Sequence, residues 1–209
     1  MTGRAGFPAR LRRRTFHLGP TLAAKFTFYC TSDDRRRALP RKVLFGLGPN
    51  EAESNLVLKF IGWVLFYRDR LQVQTELPDD SIPFVPDLVE LGYDLRPLLW
   101  VEGGESSPAK LQKIAVKCPD AQIWVVKSSP AEVDALRHTM KKEEFRRDRY
   151  GLIGLEPEMF AELAALIRER NQFHWFAGGF ADEPGLEENQ LQFELNGLWF
   201  DHSFTVARF

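Results

Sequence analysis

Apolar positions along the 209-residue chain switch repeatedly between alternating and helical spacing. Lys25 to Thr31 is rich in Phe, Tyr and Thr and predicts a strand, and Arg41 to Leu47 predicts a second. Gly48-Pro49-Asn50 then breaks the chain, and Asn50 with Glu53 three residues on forms the pattern of a capping box. Leu56, Phe60, Ile61, Val64 and Leu65 recur at helical spacing behind it, so the helix is expected to be mostly buried. A short strand is predicted at Leu71–Thr75. Two more, Asp87–Leu91 and Leu98–Gly103, are joined as a hairpin through Gly92 to Pro97.

Ser107-Pro108 opens a helix to Lys117, with Leu111, Ile114, Ala115 and Cys118 on one face. Gln122–Val126 reads as a buried strand, Pro130 to Arg147 as a charged surface helix and Leu152–Leu155 as a strand. Pro157 to Arg170 is an amphipathic helix with Phe160, Leu163, Ala164 and Ile167 together. The chain closes on strands at Phe173–Phe176, Gln190–Leu195 and Leu198–Val206, the last two joined by Asn196-Gly197. Gly178-Gly179 reads as a turn, and the five tryptophans sit in apolar segments that predict core packing. Helices interleaved with strands and hairpins predict an α/β fold, a mixed β-sheet with flanking helices and a C-terminal β-hairpin.

Composition narrows the class. Hydrophobic residues at 44% and charged residues at 27% suit a globular domain and exclude a disordered or collagen-like chain. Leu56 to Phe66, the longest apolar run, is interrupted by Lys59 and Gly62 and falls short of the roughly 20 residues that span a bilayer, so no membrane association is expected. The start is Arg-rich but is followed by no apolar stretch of the signal-peptide kind. It reads as a flexible basic arm over residues 1–21, ahead of one domain at 22–209, although an organelle transit peptide has a similar composition. Cys30 and Cys118 have no paired spacing, which points to a reducing, cytoplasmic setting.

The net charge of −1 hides an asymmetry. Arg4, Arg10, Arg12, Arg13, Arg14, Lys25, Arg35, Arg36, Arg37, Arg41 and Lys42 are opposed only by Asp33 and Asp34. Such a front end attracts phosphate backbones by counterion release, and Arg10, Arg12, Arg13 and Arg14 are the candidate nucleic-acid contacts. A solvated basic tail is the alternative.

The candidate chemistry lies on the predicted hairpin. If it turns symmetrically about Asp94 and Leu95, Asp87 and Glu102 face one another. Directly opposed positions place their Cβ atoms about 4.5–5.5 Å apart, close enough for two carboxylates to share Mg2+ or Mn2+. Without a cation, repulsion raises one of the two pKa values. Glu51 is a candidate third ligand, freed by the engagement of Glu53 in the cap. Lys110, Lys113 and Lys117 make a stripe along the following helix, and Lys110 lies nearest Glu102. The same residues also admit an ordinary reading, in which Asp87 begins a strand, Glu102 pairs with a helix lysine and the stripe is solvated. His17, His138, His174 and His202 show no metal-ligand spacing.

The order helix–strand–hairpin–helix–strand, with Pro86-Asp87 and Glu102 on the hairpin, resembles the core of PD-(D/E)XK restriction-endonuclease-like proteins. More closely the chain resembles the YaeQ family of small bacterial proteins with that core. The resemblance rests on Gly48-Pro49-Asn50-Glu51, Asp69-Arg70-Leu71, Trp100-Val101-Glu102-Gly103-Gly104, Lys113-Ile114-Ala115 and Asn196-Gly197. It implies a metal-dependent nuclease acting on DNA or RNA, with Asp87 and Glu102 as ligands. The nuclease pattern carries a lysine two residues after the second acid, where this chain has Gly104. Related enzymes supply it from the next helix, which nominates Lys110 or Lys113. A catalytically degenerate scaffold that binds nucleic acid or a protein partner is the competing expectation.

Overall fold

The computed structural model describes residues 24–48, 50–183 and 186–209. Among them run β1 (Ala24–Ser32), β2 (Lys42–Leu47), α1 (Ser54–Phe66), β3 (Leu71–Val73), β4 (Leu88–Leu91), β5 (Pro97–Gly103) and α2 (Pro108–Lys117). There follow β6 (Gln122–Lys127), α3 (Pro130–Lys142), β7 (Tyr150–Leu155), α4 (Pro157–Leu166), β8 (Arg170–Gly179), β9 (Gln190–Leu195) and β10 (Leu198–Arg208). The strands form one mixed sheet in the order β2-β1-β8-β9-β10-β7-β6-β5-β4-β3. β1–β8, β5–β6 and β6–β7 pair parallel, and the other neighbours pair antiparallel.

The sheet curls until its two edge strands almost meet. Gln74, just past β3, accepts the Gly46 N–H of β2 at 2.7 Å and donates its amide to the Gly46 carbonyl at 2.8 Å. One side-chain amide thus satisfies backbone groups that an open edge would leave to solvent. Inside the curl lies α1, buried from Leu56 through Phe66, as a helix apolar on all sides requires. It packs on β5, β6, β4, β2 and α4. Phe60 stacks on Phe28 at 3.8 Å between centroids, and Leu99, Val101, Trp124 and Val126 line the same inner core. The outer faces of the central strands present Trp100, Ile123 and Val125 to a second core under α2 and α3. No helix among the described residues is long and apolar enough to cross a membrane.

Several local expectations are corrected. The capping box does not form: α1 begins at Ser54, and Glu53 at its cap makes no side-chain bond. The charged helix from Pro130 stops at Lys142, where Glu144 turns to positive φ and the N–H of buried Phe145 bonds the Met140 carbonyl. The helix from Pro157 stops at Leu166, because Asn171 holds both backbone groups of Arg168 and starts β8 instead. Gly178 and Gly179 lie inside β8, paired with Leu191 and Gln190. Trp199 is 50% exposed, since the alternation of β10 turns Phe200 inward. The basic arm with Arg10, Arg12, Arg13 and Arg14, like His17, lies outside the described residues.

Candidate functional site

The hairpin of β4 and β5 pairs Leu88 with Val101 and Glu90 with Leu99, a register that sets position 87 opposite position 102. Glu102 is the last side chain of β5 on the face that carries Trp100. That spacing of two aims the Trp100 indole N–H at Glu102 Oε1, 2.6 Å away. Glu102 Oε2 accepts the Lys110 ammonium at 2.7 Å and the Ser106 hydroxyl at 3.2 Å. Lys110 is placed by the start of α2, where Pro108 occupies the first turn and Ser107 caps the Lys110 N–H. Only 3% of Glu102 is exposed, whereas the Lys110 side chain is 26% exposed and opens the pair to solvent.

Asp87 is held differently. Its Oδ2 accepts the Gly103 N–H at 2.8 Å, and its Oδ1 takes the Lys59 ammonium at 3.0 Å. Lys59 is buried on α1 and also pairs with Glu51 Oε1 at 2.5 Å. The approach of α1 depends on Gly103: a Cβ there would stand 2.6 Å from the Lys59 backbone nitrogen. A bare strand end therefore lets an inner helix deliver a lysine to the hairpin.

Burial pushes the Glu102 carboxyl above its ordinary pKa, and the charge of Asp87 adds to it, against the opposing pull of Lys110 and Trp100. Burial also raises Asp87, outweighing Lys59, the Gly103 N–H and Lys110. For Lys59 burial acts downward, but Asp87 and Glu51 together hold the ammonium above its usual range. The site thus gathers the acids Glu51, Asp87 and Glu102 around the ammoniums of Lys59 and Lys110, with acid in excess.

Of the residues nominated from sequence, Asp87, Glu102 and Lys110 are brought together. Lys113 is not: it lies one helical turn on, on the exposed side of α2. Glu51 meets Asp87 through Lys59, whose ammonium the two share at 2.5 and 3.0 Å, and its Oε2 accepts the Gly48 N–H at 3.2 Å. Among the described residues no three Asp, Glu, His or Cys side chains are placed to hold a metal ion. Sequence reasoning missed Lys59, whose signal is a single charge inside an apolar helical run. It also missed Trp100 as a donor, legible from its two-residue offset to Glu102, and Ser106, for which no signal existed.

Gly104 has φ +94°, and a Cβ there would come 2.6 Å from Asn55 Oδ1. The position at which the nuclease pattern has lysine is thus one at which any side chain is strained. His174 and His202 are occupied elsewhere, with Thr31 and Asp33, and with Glu156.

A family model described as YaeQ protein matches residues 22–177. The chain belongs to the YaeQ family. Two crystal structures of family members share the fold. The YaeQ protein from Xanthomonas axonopodis pv. citri aligns with a TM-score of 0.62 at 19% identity, over 88% of this chain and 97% of that one. The YaeQ protein from Pseudomonas syringae aligns with a TM-score of 0.66 at 14% identity, over 89% of this chain and 95% of that one. No curated protein matches. The β4–β5 hairpin that carries Asp87 and Glu102 falls within the part of the chain matched to the family.

Proposed function

We propose that this member of the YaeQ family is a metal-dependent phosphodiesterase acting on nucleic acid, built on a PD-(D/E)XK-like core. The observation that carries the reading is the opposition of Asp87 and Glu102 across the hairpin, with the Lys110 ammonium 2.7 Å from Glu102.

The facing donors are carboxylate oxygens, the ligand type that a hard divalent ion such as Mg2+ or Mn2+ takes. An ionised carboxylate offers about four lone-pair positions. The hydrogen bonds described take two on Asp87 and three on Glu102, which leaves about three between them. The excess acid supplies the charge, and Asp87 and Glu102 would hold the ion with oxygen ligands alone. Bound there, it supplies polarisation of a phosphoryl oxygen and a more acidic water.

The protein's own groups do the rest. Lys59 fixes Asp87 in place and is itself anchored by Glu51, so the carboxylate is pre-oriented. Trp100 and Ser106 fix Glu102 in the same way. Lys110, partly exposed, is free to follow the charge that develops on a phosphate oxygen. Arg10, Arg12, Arg13 and Arg14 would add salt-sensitive affinity for the nucleic-acid backbone. Arg37, from the same basic stretch, is committed to Glu183 and the Val64 carbonyl.

The test is incubation of labelled DNA and RNA with Mg2+ or Mn2+, alongside Asp87→Ala and Glu102→Ala. Each substitution is expected to reduce cleavage at least about 100-fold. Salt-sensitive binding with no cleavage would instead support the degenerate scaffold, which the closed-off position at Gly104 favours.

A further inference from the structure

Lys127 closes β6 on the same outer face as Ile123 and Val125, and Val125 pairs with Glu102. Its ammonium lies 2.7 Å from the Gly104 carbonyl, while the Gly104 N–H bonds Val126. The side chain is therefore laid across the end of β5, two residues beyond Glu102, where Gly104 offers no side chain of its own.

Three features set this lysine apart from a surface one. It is partly buried, yet among the described residues it makes no ion pair, and its contact is a neutral carbonyl. Burial lowers its pKa from the usual lysine value, with Glu132 and Glu105 acting the other way from a distance. An ammonium partly withdrawn from water without a carboxylate in contact costs some stability, which points to a ligand that supplies the missing charge. Second, α2 and α3 both begin just after their strands, capped by Ser107 and Ser129, so two helix N-termini face this edge. Third, the place is the carboxyl end of the parallel strands β5, β6 and β7, the usual ligand edge of an α/β sheet.

We propose that Lys127 seats the reacting phosphate of the nucleic acid, donating to a non-bridging oxygen above Gly104 and aligning it with Asp87 and Glu102. The proposal rests on the phosphodiesterase reading and names the group that binds its substrate. Lys110 approaches from α2 beside Glu102, and Lys127 brings a second positive charge from the neighbouring strand.

The experiment compares the full-length protein with Lys127→Met and Lys127→Arg in two measurements. The first is equilibrium binding of a fluorescent 20-mer DNA or RNA in EDTA across a salt series. The second is steady-state cleavage of the same oligonucleotide with Mg2+ or Mn2+. Lys127→Met is expected to lower the slope of log affinity against log salt by about one and to raise KM about tenfold. Lys127→Arg, which keeps the charge, should retain the slope. The melting temperature of Lys127→Met should stay at or above wild type, since that substitution removes a partly buried charge. Wild-type slope and KM in Lys127→Met, or a fall in kcat alone, would overturn the role of Lys127 and leave the phosphodiesterase reading standing. A wild-type protein that neither binds nor cleaves any oligonucleotide would overturn both.

Discussion

Glu102 on β5 and Glu156 at the start of α4 are served by similar partners. Glu102 accepts from the Trp100 indole, the Ser106 hydroxyl and Lys110; Glu156 accepts from the Ser203 hydroxyl at 2.7 Å and faces His202 Nδ1 at 2.7 Å. The two carboxyls nevertheless shift in opposite directions. The bonds from Ser203 and His202 hold Glu156, whose side chain is 41% exposed, below its ordinary range. At Glu102 burial and the neighbouring Asp87 outweigh a larger set of donors and raise it. Hydrogen bonds to a carboxylate thus decide its charge only while water still shares the work. Where water is excluded, burial and the neighbouring acid push both carboxyls upward despite their donors.

The comparison breaks most completely if the buried side loses its counter-ion. Lys59→Met strips Asp87 and Glu51 of their shared ammonium and is expected to cost about 3–5 kcal/mol in denaturant unfolding, with loss of cleavage. Gly103→Ala leaves every charge in place but pushes α1 from the strand end. It should cost about 1–3 kcal/mol and misplace Lys59, visible as a lower urea midpoint and a lower kcat.

A subtler pair sharpens the contrast. Because the Glu102 pKa is raised in the fold, the native state holds its proton more tightly than the unfolded chain does. The stability from that tighter hold is present at low pH and lost as pH rises through the raised value. Melting curves should therefore show wild type gaining on Glu102→Gln as pH falls from neutrality, while the variant cleaves nothing. At Glu156 the sign reverses. Its stabilisation is present above the ordinary value of 4.5 and fades as pH falls through the lowered one, so wild type should lose ground to Glu156→Gln on acidification. That last effect stays below about 1 kcal/mol, because an exposed pair is screened. Two slopes of the same sign would erase the distinction.

Much of the hairpin was readable in advance. Strand alternation sets 87 against 102, although the register shifts by one between Glu90 and Leu91, where Leu91 pairs with Pro97 short of the turn. Lys110 was readable from local spacing, sitting one helical turn past the Ser107 cap. Lys59 was not, since its partners lie 8 residues behind and 28 ahead and meet it only when α1 enters the curled sheet. Glu51 reaches the hairpin only through Lys59, whose ammonium it shares with Asp87.

The amino-acid order by itself determined which segments become strands and helices, which hairpin positions oppose, and that the chain carries a basic front and an acidic remainder. These depend on periodicity, turn chemistry and composition, which act over a few residues. The tertiary structure alone decided that Gln74 closes the sheet, that an inner helix lends Lys59 to the hairpin and that Lys127 lies across Gly104. Those contacts join residues far apart in the chain, and their energies depend on how much water the packed fold excludes.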